Sequence, residues 1–171
     1  ANITHENRNG GDMNLIDGET PDSSHFYFDK QNSNRYSTQF SAKRSFAKSS
    51  TLTLKNSVSM FDRFIHIREN ILGQNTQFGG QQLNSFSELN LNLNKSNHNL
   101  NTGLNIYTDH FSEQQLDSAP LRNQEYLTFG IYINHLWDIN KKLALESGLR
   151  TDYAQARSKI SENNGETFVL P

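Results

Sequence analysis

The chain contains no cysteine, so it can form neither a disulfide framework nor a thiolate metal site, and its redox compartment stays undecided. No run of 18 apolar residues occurs, which excludes a transmembrane helix, and no charged-then-apolar signal peptide opens the sequence. Basic charge is not in excess: 16 Lys and Arg face 18 Asp and Glu, for a net charge of −2 and a pI near 6.3. The basic residues are scattered, so no field for nucleic acid exists. Apolar residues make up only 33% of the 171 residues, too little for a thick core in one domain of that length. Segments with helical period are missing. So are the HExxH, GxSxG, P-loop and dinucleotide fingerprints, and the six histidines (His5, His25, His66, His98, His110, His135) fall on separate elements. No enzyme, no catalytic residue, no cofactor and no metal site is expected.

What the chain does contain is asparagine, 22 residues of it, a residue depleted from ordinary strands because its amide competes for backbone hydrogen bonds. In "SELNLNLNKSNHNLNTGLNIYTD", Ser87 to Asp109, leucine takes every second place and asparagine most of the places between. A helix would scatter Leu89, Leu91 and Leu93 around its circumference, whereas a strand puts them on one face. After Lys95-Ser96-Asn97 the pattern resumes with Leu100, Leu104 and Ile106 against Asn99, Asn101, Gly103 and Asn105, the returning arm of a hairpin.

The same alternation predicts strands over 35–46, 51–67, 82–94, 98–111, 124–139, 143–153 and 167–170: an all-β, antiparallel up-and-down meander of six to seven strands, following a long outer loop segment at 1–34. The breaks alternate between short (Ala47 to Ser50, Lys95 to Asn97, Asn140 to Lys142) and long (Arg68 to Gln81, Ser112 to Asn123, Ala154 to Glu166). All short turns therefore lie at one end of the sheet, as in an outer-membrane barrel with short periplasmic turns and longer outer loops. A barrel strand crosses a bilayer with about 9–11 alternating residues, so the mean hydropathy of −0.77 does not exclude a membrane. In 124–139 one face carries Leu127, Phe129, Ile131, Ile133, His135, Trp137 and Ile139. Phe129 and Trp137, and likewise Tyr36 and Phe46, are spaced as two aromatic girdles would be. Two features fit less simply. Arg44 shares the face of Phe40 and has to snorkel, and the oily parity after Met60 switches, implying a bulge or an exit from the membrane near Phe61.

Taken in order, the phrases "ENRNGGDM" (Glu6 to Met13), "NRYSTQFS" (Asn34 to Ser41), "LTLKNSVSMFDR" (Leu52 to Arg63), "SFSELNL" (Ser85 to Leu91), "GLNIYTDHF" (Gly103 to Phe111), "LALESGLRTDY" (Leu143 to Tyr153) and "FVLP" (Phe168 to Pro171) span most of the chain. In this the chain resembles the TonB-dependent outer-membrane receptors of the Bacteroidetes type. The resemblance implies a 22-stranded barrel closed by an N-terminal plug, energised through TonB for uptake of a scarce nutrient. This chain has neither plug nor TonB box and too few strands, so it is expected to be a middle segment of the barrel, 35–171, in the bacterial outer membrane.

The expected partners are outer-membrane lipid, the TonB system through the missing plug, an unidentified nutrient ligand and, for the isolated piece, a second copy of itself. Ligand contacts are expected from the long loops, at Ile71, Leu72 and Phe78 in one and Leu116 and Leu121 in another. Glu146, Arg150 and Asp152 share one strand face and are expected to line the lumen rather than form an acid/base set. "DMNLIDGE", Asp12 to Glu19, is one place out of step for a calcium loop and reads as a polar surface loop. Two alternatives stand: a soluble all-β binding or adhesion module with the leucine face packed inside, and a structural outer-membrane β-barrel protein.

Overall fold

The computed structural model describes residues 1–16, 20, 22, 24–46, 49–68, 75–114, 120–161 and 167–170. Its strands are β1 (Asn2–Gly11), β2 (Phe28–Phe46), β3 (Ser50–Arg68), β4 (Asn75–Lys95), β5 (His98–Gln114), β6 (Leu121–Asn140), β7 (Leu143–Ser161) and β8 (Thr167–Leu170), with one short helix, α1 (Met13–Ile16), after β1. They form a single eight-stranded sheet in which every neighbour in sequence is a neighbour in space, and every pairing is antiparallel. The meander is as expected from the hairpin-sized turns.

Three expectations are corrected. The segment 1–34 is not all loop: β1 pairs with β2 from Asn2 opposite Ser37 to Gly11 opposite Phe28, which brings the strands to eight. Ile3 is its one large apolar residue, so backbone pairing, not an oily alternation, holds it. The strands also run further than expected at the long-connection end, leaving 69–74, 115–120 and 162–166 between them. Their polar ends still satisfy their backbone groups on the neighbouring strand. Finally, of the two readings at Phe61 only the bulge falls: β3 keeps strict register with β2 and β4 there, and the register shift lies between Asp138 and Asn140. The short connections remain at one end, between β2 and β3, between β4 and β5 at 96–97, and between β6 and β7 at 141–142. In the second of these Ser96 takes a left-handed φ of 54°, as a two-residue hairpin requires at a central position.

This sheet encloses no core. Leu15 is the one buried apolar side chain among the described residues. The accessible surface is 12078 Å², whereas a compact monomer of this mass would show about 8,600 Å². The excess is the signature of a single layer. Register puts Leu54, Leu89, Leu104 and Ile131 side by side on one face, with Leu52, Leu91, Thr102, Ile133 and Leu149 in the next row. That face is largely open, with Phe40 59%, Ile131 48% and Leu149 73% exposed. A contiguous open apolar face of this kind is unusual on a monomer in water and marks a surface that something else covers.

The open band has a shape. In β2 it begins at Tyr36, just past Asn34; in β7 it begins at Tyr153, with Gln155 and Arg157 beyond it. Following the register from Tyr36 leads through Met60, Leu83, His110 and Glu125 to Arg157. The band has thus drifted from Arg157 back to Tyr153 across five strand steps. Four residues at about 3.3 Å against five steps of about 4.8 Å is a slope of about 30°. The band therefore crosses the strands obliquely, about 30° away from their perpendicular. Tyr36, Phe129 and Tyr153 lie near one rim of the band, Phe46 and Trp137 near the other, and all are exposed. Arg44, opposite Leu52 and two places from the end of β2, is close enough to the second rim for its stem to carry the charge out.

Candidate functional site

The opposite face is polar and explains the asparagines. On β4 and β5 they stand at alternate positions facing away from the leucines, where each amide offers a donor and an acceptor to its lateral neighbours. Asn90 Nδ2 donates to Asn101 Oδ1 and to Tyr132 Oη, both at 2.6 Å. Asn92 Nδ2 donates to Asn99 Oδ1 at 3.3 Å, Asn94 Nδ2 to Asn92 Oδ1 at 2.7 Å, and Asn99 to Asn94. The amides form a lattice across strands, which apolar packing provides in a soluble sheet.

Within this lattice the register lines up Lys55, Glu88, Asn105, Gly130 and Asp152 in one row across five strands. Lys55 Nζ is 3.2 Å from Glu88 Oε1. Asn105 is 6% exposed, overlain by its neighbours. Gly130 leaves room for them: a side chain there would press on Asp152, on Asn105 Oδ1 and on Arg150 Nη2. Arg150 reaches along β7 to grip Asp152 with two hydrogen bonds, Nε at 2.8 Å and Nη2 at 2.7 Å, and Glu146 accepts from Asn134 Nδ2 at 2.9 Å. The expected trio Glu146, Arg150 and Asp152 thus shares the polar face, but its partners come from two strands. In this cluster no proton acceptor is poised on a nucleophile; it presents fixed charges and amides on the polar face.

Of the expected loop contacts, Ile71, Leu72 and Leu116 lie outside the described residues. Phe78 and Leu121 are strand residues rather than loop residues, because pairing extends β4 and β6 past the expected loop edges. Phe78 stacks on Phe111 with ring centroids 6.5 Å apart, and Leu121, half-buried, opens β6 opposite Ser161. Near them Arg122 is held by Glu113, with Nη2 to Oε1 at 2.7 Å, and their charge-assisted bonds raise the guanidinium further above its ordinary value. Asp12 to Glu19 is not wholly loop: Met13–Ile16 is helical, and 17–19 lie outside the described residues.

Sequence reasoning missed the group Arg35, Phe61 and Arg63. Both guanidinium carbons lie 5.1 Å from the Phe61 ring centroid. The pairing of β2 with β3 creates this contact, and no local motif announces it.

Compared with known protein families and with curated proteins, the chain matches none.

Proposed function

We propose that the chain is a segment of an outer-membrane β-barrel whose oily face meets lipid and whose asparagine face lines the lumen. The observation that carries this reading is the open, oblique apolar band on a single-layer meander. A soluble sandwich needs a second layer over that face, and nothing in a sandwich requires the band to cross the register at about 30°. The sorted turns and the rim aromatics support the same reading. The finer reading is a TonB-dependent receptor taking up a nutrient; its support is the ordered set of phrases from "ENRNGGDM" to "LALESGLRTDY". The chain's part in it is then structural and ligand-facing, not catalytic.

Trp137, the only tryptophan, reports on the first claim. Added to phosphatidylcholine vesicles, the full chain should float with them, and Trp137 emission should shift to the blue and be quenched by brominated lipid. A chain that stays in the aqueous phase as a monomer, with Trp137 equally open to iodide with and without vesicles, would favour the soluble all-β module. The receptor reading is tested in the gene, whose reading frame should continue on both sides into further alternating strands and a plug; a frame encoding these eight strands alone would contradict it.

A further inference from the structure

On the polar face, β1, β2 and β3 enclose a hollow of about 250 Å³ lined by Asn2, Thr4, Glu6 and Ser33 together with Arg35, Phe61 and Arg63. Register sets Arg35 directly opposite Phe61, and Arg63 lies two places further along β3 on the same side. Three other cations of this face already have carboxylates: Lys55 has Glu88, Arg122 has Glu113 and Arg150 has Asp152. Arg35 and Arg63 do not; among the described residues no carboxylate oxygen comes within 4.0 Å of either. The row through Arg63 explains why. Its cross-strand neighbours are Ser33 and Gly80, neither of them charged, and Glu6 stands one strand further, opposite Ser33. Arg63 Nε is shielded from solvent and meets no acceptor among the described residues. A shielded guanidinium donor without an acceptor is costly, and a second cation on the same ring adds repulsion; an oxyanion between them would relieve both.

We propose that this hollow binds a small oxyanion, a carboxylate or phosphate compound entering from the polar side of the sheet. Arg35 and Arg63 supply planar forks for its oxygens, and Phe61 holds the two forks apart and gives the ligand an apolar floor. Glu6 sets a limit: its charge opposes a bare anion, so a ligand that also carries a hydroxyl or ammonium donor fits better. The site does not depend on what covers the apolar face.

Calorimetric titration of the full chain in zwitterionic detergent, with inorganic phosphate and with succinate as probes, tests this. Saturable binding of at least one probe is expected, weakened about tenfold or more by Arg63→Gln or Arg35→Gln, since each variant removes a charge-assisted hydrogen bond to the anion. Arg122→Gln, which removes a cation already matched to Glu113, should change it less than about twofold, and Glu6→Gln should tighten bare phosphate. Which probe binds more tightly separates a carboxylate ligand from a phosphate one. Should Arg63→Gln fail to fold, Arg63→Lys keeps the charge and loses the fork, and weakening several-fold with an unchanged circular-dichroism strand signal supports the site. Absence of saturable binding of both probes, or equal losses in Arg63→Gln and Arg122→Gln, would overturn it.

Discussion

Replacing Ile131 by arginine should destabilise the chain in a phosphatidylcholine bilayer by about 2–4 kcal/mol, the cost of a cation at the midplane of a barrel's lipid face. Ile131 is near the middle of the band: Leu127 stands four positions away on one side and Trp137 six positions away on the other, and its lateral neighbours are Leu104 and Thr151. The penalty should fall with depth. Leu127→Arg, next to the rim marked by Glu125, should cost about 0–1 kcal/mol, because the guanidinium reaches the headgroups. Gln39→Arg, at an exposed position of the polar face opposite Ser57 and outside the amide lattice, should likewise be mild. Urea unfolding from vesicles, followed by Trp137 emission, measures all three. Equal costs at Ile131 and Leu127 would mean that the face is covered by protein of uniform depth rather than by a bilayer.

The second large effect is expected at Gly103, where the polar lattice leaves no space. A Cβ there would lie 2.6 Å from the Leu89 carbonyl oxygen and 2.6 Å from Tyr132 Oη. The first is backbone and cannot swing away; the second accepts the Asn90 hydrogen bond. Gly103→Val must therefore part β4 from β5 or lift the Tyr132 ring, and the overpacking should cost about 1–3 kcal/mol. Gly148 offers the control on the same face. Its nearest neighbours would stand 3.5 Å or more from a new Cβ, so Gly148→Ala should stay within about 0.5 kcal/mol. A tolerated Gly103→Val would show that Tyr132 does not lie over Gly103.

Alternation made most of this sheet legible before any coordinates. Leu89, Leu91 and Leu93 keep one parity against Asn90, Asn92 and Asn94, and period 2 has no helical counterpart. It failed where the two faces stop differing in chemistry. β1 has Ile3 and otherwise polar side chains, so no alternation marks it. Beyond Met60 the side chains of Phe61, Ile65 and Ile67 belong to the polar face, outside the band; the parity switch there leaves a bulge and an end of the band equally open, and the unbroken register removes the bulge. The candidate site divides in the same way. Arg150 and Asp152 are two apart on one strand, so alternation alone places them on one face, whereas the grip of one on the other is seen only in the structure. Asn134 with Glu146, and Arg35 with Phe61, meet only through strand register, which local pattern does not specify.

The absence of native cysteine makes the central claim directly measurable, because each single-cysteine variant carries one label. Cysteines placed one at a time from Leu127 to Trp137, tagged with an environment-sensitive fluorophore in phosphatidylcholine vesicles, should alternate. Positions 127, 129, 131, 133 and 137 should be quenched by lipid-borne quencher, most strongly near 131 and 133, while 128, 130, 132 and 134 should answer to a water-soluble one. Uniform quenching along the strand, or strongest lipid quenching at Tyr132 and Asn134, would contradict a sheet that turns its leucines to the membrane and its asparagines to the lumen.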